Sequence, residues 1–538
     1  MMPFLNLLAQ APTPPPPAST TPVVVICIYL GALVVLGLIS ARMFRGTSGD
    51  YFVASRSIGP FMLLMSVFGT TMTAFALVGS TAKSYDLGIG VYGLMASWSG
   101  LIHAAVFFLI GIKLWAIGKR YGYVTQIQYF RDRFESRTLG YLLFPILVML
   151  VIPYLLVGLL GAGAFMRGIS RGMYPEMFAS TGGAIPLWLT GLVICAVVLF
   201  YVFFGGVRSA AWANTFQTLV FMVMGVVAFA LIAKALGGPV AAAEAVLEHA
   251  PEKTAREGLI SKSQFLTYMF IPLSVGMFPH LFQHWLTARS AKSFRLTVIA
   301  HPVCIMIVWL PCILIGIWAA GQVGMGALRV PPNVPNSNWV LGGMVGTFVH
   351  SNLLTGLLAA GVLAAIMSSL DSQFVCLGSM FTNDIVVPLA RRDRFSDSQK
   401  LWLGRAFVIG VVAVTYLISL TNPAHVFDLG VWCFTGFAAL FPLVFAAVYW
   451  KRATRAGAIA CVLATVVAWL VFFADAMIFT EKGYLGSKDL GTEEYLVNGV
   501  MAVTYIFAAS LLALIVVSLI TKPLSRETIE KFFAIEKA

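Results

Sequence analysis

Runs of about twenty apolar residues recur along almost the whole chain, and they constrain its fold more than any single motif. A helix rises about 1.5 Å per residue, so about twenty residues cross the roughly 30 Å of hydrocarbon in a bilayer. Thirteen such segments are read at 23–41, 59–82, 90–116, 138–167, 186–204, 210–236, 266–288, 296–320, 346–386, 402–421, 424–449, 455–478 and 498–521. The predicted fold class is therefore an all-α integral membrane protein. Of 538 residues only 11% are charged and 59% are hydrophobic, too little charge to cover a water-soluble surface. No soluble domain fits between the segments.

A net charge of +13 would suit a nucleic-acid partner, but the placement of the basic residues argues otherwise. If the N-terminus lies outside, 25 of the 35 Lys and Arg fall in alternate connections and the C-terminal tail, as the positive-inside rule requires of cytoplasmic loops. They include Arg56, Lys119, Arg131, Arg133, Arg289, Arg391, Lys451, Arg455 and Lys531. The two longer outer loops, 237–265 and 479–497, carry Glu244, Glu252, Glu257, Glu481, Asp489 and Glu494 among others. The expected location is the cytoplasmic membrane, with multiple passes, an outside N-terminus and a cytoplasmic tail at 522–538. Residues 1–22, with Pro12 and Pro14 to Pro17, read as an extended, disordered tail without the basic start of a signal peptide. All seven cysteines fall in apolar segments without ligand-like spacing and read as packing residues.

Polar residues at membrane depth carry the chemistry. Ser368, Ser369, Asp371 and Ser372 fall within five residues of a long apolar segment, and Ala365, Ser368, Ser369 and Ser372 share one helical face. Hydroxyls and a carbonyl on one face are what a small hard cation such as sodium needs when it sheds water. Asp371, ionisable inside a span, marks a functional site by default. In the second segment, Gly69-Thr70-Thr71-Met72-Thr73-Ala74-Phe75-Ala76 weakens a helix, and a break there would free carbonyls for a cation. Close helix packing is the other use of such small residues.

These motifs, with others, resemble the sodium:solute symporter family. The resemblance runs from about Asp50 to Ile520 and rests on Asp50-Tyr51-Phe52, Arg56-Ser57-Ile58-Gly59-Pro60, Gly205-Gly206-Val207-Arg208, Pro279-His280-Leu281-Phe282-Gln283, Ser368-Ser369-Leu370-Asp371-Ser372 and Asn383-Asp384-Ile385. It implies a LeuT-type fold of two inverted five-helix repeats, at 59–236 and 266–449, preceded by one helix at 23–41 and followed by two at 455–521. It also implies a sodium site between core helices 1 and 8, made by the carbonyls of Gly69, Met72 and Ala365 and the hydroxyls of Ser368 and Ser369.

Two departures stand out. Many relatives carry Thr-Asp in core helix 5, associated in some with a second sodium site, where this chain has Ala213-Asn214. Asp371, with Ser372 and Asn214, is the candidate second cation site; alternatively Asp371 faces a cytoplasmic vestibule or bonds neighbouring backbone. The other departure is His284, where relatives often have Arg. The family's mid-membrane pocket would here be lined by Thr73, Phe75, Ala76, Tyr92, Trp98, Tyr154 and Phe434. With no Arg or Lys in the middle of core helix 3, such a pocket suits neutral or zwitterionic solutes. His280 reads as a helix-tying residue, or else as a proton carrier.

The expected function is secondary active symport of a small organic solute with sodium, by alternating access. The partners are the solute, sodium and the bilayer, with no nucleic acid, no obligate protein partner, no cofactor beyond sodium and no enzymatic chemistry. The rivals are proton coupling on the same fold, through Asp371 or His280, and a solute sensor. A sensor would need a separate signalling partner, since few residues follow Thr521. No phosphate-binding Gly-Lys-Thr loop occurs, which argues against ATP-driven transport.

Overall fold

A computed structural model describes residues 19–42, 48–255, 259–331, 336–389, 395–421, 426–478, 484–488 and 494–533. The Pro-rich run, Glu257, Glu481, Asp489 and Arg391 lie outside these residues, as does the side chain of Asp50. Among the described residues, ten helices are long and apolar enough to cross a membrane, or up to twelve when each of two bent pairs counts as one span. The expected thirteen is not reproduced by this count.

The long helices are α1 (Thr21–Ala41), the bent pair α2 (Pro60–Thr71) and α3 (Phe75–Leu87), α4 (Gly90–Tyr121), the short connector α5 (Gln126–Arg133), α6 (Arg137–Ser170) and α7 (Leu187–Ala235). They continue with a second bent pair, α8 (Lys262–Gly276) and α9 (Pro279–Thr287), then α10 (Ala291–Gly324), α11 (Asn352–Leu389), α12 (Asp397–Ser419) and α13 (Val426–Tyr449). α14 (Arg455–Ile478) and α15 (Ala502–Ile520) follow, joined by a small antiparallel sheet of β1 (Ser487–Lys488), β2 (Tyr495–Val497) and β3 (Val500–Met501). A short terminal helix, α16 (Arg526–Phe533), closes the chain's described part.

The difference in count centres on α7. It is a single 49-residue helical element, about 74 Å if straight, more than twice a bilayer's apolar thickness. Its backbone turns at Gly206, with φ 55° and ψ −146°, so 186–204 and 210–236 are its two arms. A Cβ at Gly206 would lie 2.5 Å from the Tyr51 carbonyl oxygen. Only glycine meets both demands.

Both bent pairs have local causes. α2 ends where Met72 takes φ −91° and ψ 90°, and the Thr73 hydroxyl accepts from the Phe75 N–H at 3.0 Å, replacing a helical carbonyl as that donor's partner. α2 and α3 meet at a 59° bend. Pro279 opens α9 and holds Phe278 extended at ψ 116°, since the residue before a proline is pushed out of the helical region. That bend is 52°.

α11 runs through the middle, with nearly every side chain from Thr355 to Met380 buried. One end of the bundle gathers basic side chains. Arg56 donates to the carbonyls of Leu286, Gly118 and Tyr123, and Arg133 donates to those of Ala447 and Trp450. α16 seats Phe532 there beside Tyr121 and Tyr129. Ser525, just before it, bonds Glu135 and holds that carboxyl below its ordinary value.

Gly206→Ala should destabilise the protein by about 2 kcal/mol or more, because both the left-handed backbone and the Tyr51 contact penalise a methyl group. A thermal melt of the detergent-solubilised variant measures this.

Candidate functional site

The α2–α3 break leaves the last carbonyls of α2 without helical donors. Phe68 O is taken by the Met72 N–H at 3.0 Å and the Thr71 hydroxyl at 2.9 Å. Gly69 O instead receives Ser368 Oγ from α11 at 2.8 Å, and the same hydroxyl lies 2.8 Å from Ala365 O. A serine has one proton, so it cannot donate fully to both carbonyls. Three oxygens from two helices thus converge at a broken helix end, with Ser368 wholly buried. Gly69 has no room for a side chain because Thr218 Oγ1 occupies that space, while Thr218 donates to Met65 O at 3.0 Å.

The remaining expected ligands sit beside this point. Ser369 turns its hydroxyl back to Ile366 O at 2.9 Å. Met72 is the residue at which α2 stops.

One turn further along α11 lies a second polar cluster. Asp371 is fully buried. Its carboxylate accepts from Tyr201 OH and from Ser372 Oγ, each at 3.0 Å. Asn214, with its amide nitrogen turned to α11, lies 3.0 Å from both Asp371 oxygens and from Ser368 O, and its oxygen is 2.9 Å from Ser372 Oγ. His284 Nε2, from α9, lies 2.9 Å from Ser372 Oγ. The three residues Asp371, Ser372 and Asn214 are therefore brought together, and the Ser368 peptide joins them to the first cluster. Tyr201 and His284 were not legible as members, because they reach the carboxylate and its serine from segments 170 and 88 residues away.

Aromatic rings pack between α3, α6, α9 and α13. Phe75 meets Phe434 at 4.9 Å, and Tyr154 meets Phe434 at 5.1 Å. Phe427 stacks on Phe75 at 4.8 Å, and Phe278 lies 5.5 Å from Phe434; neither ring stood out in the sequence. Thr73 and Ala76, both buried, flank Phe75. Trp98 is elsewhere, donating to Phe265 O at 2.9 Å, and Tyr92 makes no ring contact with this group among the described residues. His280 packs against Phe278 and Tyr154, which also touch each other, yet neither ring nitrogen has a hydrogen-bond partner among the described residues, so it does not tie α9 by hydrogen bonds as expected. A further buried pair, His103 and His301, lies against α2, with His301 Nε2 3.1 Å from Thr71 Oγ1.

Residues 51–465 match the sodium:solute symporter family. The chain belongs to that family. It is 25% identical to the sodium/proline symporter of Salmonella typhimurium over 470 residues, covering 83% of this chain and 87% of that protein. The Haemophilus influenzae sodium/proline symporter is also 25% identical, with 95% and 97% covered. Among solved structures, a substrate-bound, outward-open sodium-coupled sialic acid symporter superposes with a TM-score of 0.73 at 18% identity, covering 94% and 99%. Mhp1, a nucleobase-cation-symport-1 family transporter in a closed conformation, follows at 0.55 and 15%, covering 89% and 97%. Both neighbours have LeuT-type folds. This family member is a multi-pass membrane transport protein and not an enzyme.

Tyr201→Phe leaves the buried Asp371 short of one donor and should cost about 1–3 kcal/mol. Thermal unfolding of the variant beside the unaltered protein checks this.

Proposed function

We propose that the protein imports a small organic solute with sodium across the cytoplasmic membrane by alternating access. The observation that carries the proposal is the meeting of Gly69 O, Ala365 O and Ser368 Oγ at the end of a broken helix. Neutral oxygens at a helix C-terminus favour a cation by their dipoles, and a site without a carboxylate binds weakly enough to release its ion. Met72 and Ser369 complete the proposed ligand set. The family's name and the sodium-coupled relatives support sodium as the coupling ion.

In this reading α2–α3 is core helix 1, the arms of α7 are core helices 4 and 5, α8–α9 is core helix 6 and α11 is core helix 8. Counting α7 as two spans makes thirteen. The two repeats, 59–236 and 266–449, each begin with a broken helix, as inverted-repeat transporters place them. The basic end is cytoplasmic and the N-terminus outside, as positive loops prefer. Sodium binding draws α2 against α11, completes the solute site and raises solute affinity; both are then released inward. Each charge moved inward gains about 2.3 kcal/mol per 100 mV.

The solute site comprises Thr73, Phe75, Ala76, Tyr154 and Phe434. Rings and hydroxyls without a fixed charge suit a neutral or zwitterionic solute. The proline and sialic acid carried by named relatives are both small organic molecules. Asp371, Ser372 and Asn214 form a second cation site, in which the carboxylate of α11 takes the place of an Asp in core helix 5.

Sodium, against potassium or choline at equal ionic strength, should raise the melting temperature, and the rise should follow the logarithm of its concentration once above Kd. Mass action sets the gain at about 2.7 kcal/mol at one hundred times Kd. The rise should vanish in Ser368→Ala/Ser369→Ala; a sodium-independent melt of the unaltered protein would refute the site. Asp371→Asn should lower the Hill coefficient for sodium-driven uptake from about two toward one, and a coefficient unchanged from the parent would refute Asp371 as a ligand of a second coupled ion.

A further inference from the structure

At the end opposite the basic one, Lys83 of α3 is almost completely buried. Its ammonium lies 3.1 Å from Glu494 and 3.8 Å from Asp428. Glu494 is equally buried, with its side chain 4% exposed, and its other oxygen accepts from Gln264 at the start of α8. Asp428 belongs to α13. Glu494 belongs to none of the helices around the candidate sites, but immediately precedes β2 in the connection between α14 and α15.

Taking two charges out of water is costly, and an ion pair buried this deeply persists only where the geometry compensates both. Here the Glu494 carboxylate meets α3 through Lys83 and α8 through Gln264, and Lys83 in turn meets Asp428 of α13. The same connection is fastened to its surroundings by further bonds. Ser263 Oγ donates to Gly499 O at 2.7 Å, the Met501 N–H donates to Thr267 Oγ1 at 3.3 Å, and Tyr495 OH donates to Asp475 of α14 at 2.6 Å. Tyr495 also lies 5.8 Å from the Trp432 ring of α13.

The position of the pair is informative. The Lys83 ammonium sits 5.0 Å over the Phe427 ring, and Phe427 stacks on Phe75. The charged cluster is therefore one ring removed from the proposed solute site, on its outer side. A solute entering from that side must part α3, α8 and α13; Lys83 and Gln264 hold the first two to Glu494, and Asp428 holds the third to Lys83.

We propose that the segment 494–501, which leads into α15, is a strap that holds the outer gate shut through Glu494, with Lys83 as its chief partner. Two helices outside the proposed repeats thereby set how often the transporter opens outward. The inference rests on the proposed orientation and transport cycle. A buried pair is little screened by salt, so the strap resists ionic strength but yields when either charge is removed.

The test is thiol labelling of full-length protein in sealed, right-side-out vesicles, with Ala76→Cys placed beneath the strap and the seven native cysteines replaced. A membrane-impermeant maleimide should label Ala76→Cys about tenfold faster when Glu494→Gln is added, because one lost charge shifts the closed–open equilibrium toward open. Asp428→Asn, a less buried change that spares the 3.1 Å pair, should give a smaller acceleration. Glu252→Gln, an exposed carboxylate near the same end, should give none. Equal labelling rates in the parent, Glu494→Gln and Asp428→Asn, with each eluting as a folded monodisperse species, would overturn the strap. If Glu494→Gln fails to fold, Asp428→Asn decides by the same criterion. Labelling requires neither sodium binding nor uptake, so a failure of the transport reading, seen as absent sodium stabilisation, is scored separately.

Discussion

Everything in this molecule depends on one requirement of the bilayer interior: each backbone N–H and C=O must find a partner within the protein. Helices satisfy it along their length, which is why the described residues are so largely helical. The requirement also makes a helix break costly in lipid, and both breaks here, at Met72–Ala74 and at Met277–Phe278, lie among buried residues. At the first break, α11 supplies the replacement partner. Ser368 is inserted where Gly69 O would otherwise lack a donor. The same local deficiency that needs a partner can serve a cation, so structural compensation and the proposed ion site share one set of atoms.

α11 organises the polar interior. Its Ser368 hydroxyl faces the α2 break, while the Ser368 carbonyl and the side chains of Asp371 and Ser372 face Asn214, Tyr201 and His284. Two polar clusters separated by one helical turn are thereby linked through a single residue. Their partners come from α2, both arms of α7, and α9. Movement of α9 relative to α11 would have to break or remake the His284–Ser372 contact, so His284, which stands where relatives often have Arg, is positioned to feel the state of the carboxylate cluster.

Much of this was legible in the chain. Apolar length and the distribution of Lys and Arg pointed to a multi-pass membrane protein, because hydrocarbon thickness and loop charge act on sequence directly. The helical spacing of Ala365, Ser368 and Ser372 marked one face of α11, and the Gly-Thr-rich run 69–73 marked the break, since both depend on local periodicity and helix propensity. The turn at Gly206 was visible as a Gly-Gly pair. What could not be read were the partners. Tyr201, Phe278 and Phe427 are ordinary residues of apolar segments, nothing near His284 marks Ser372 as its partner, and Lys83 stands near a helix end, where a cation ordinarily faces water or snorkels. Instead it is buried against Glu494, more than 400 residues away.

The sequence by itself determined that this chain lives in a membrane, where its helices can run, where one of them breaks, and which family it belongs to, because these follow from short-range chemistry repeated along the chain. Only the tertiary structure decided which oxygen faces which, that Asp371 is enclosed by donors from α7 and α11, that Trp98 pairs with Phe265 instead of joining the Phe75–Phe434 rings, and that Glu494 reaches Lys83. Those outcomes depend on how helices far apart in sequence are rotated and tilted against one another. Packing sets that rotation and tilt, and local sequence pattern carries no record of it.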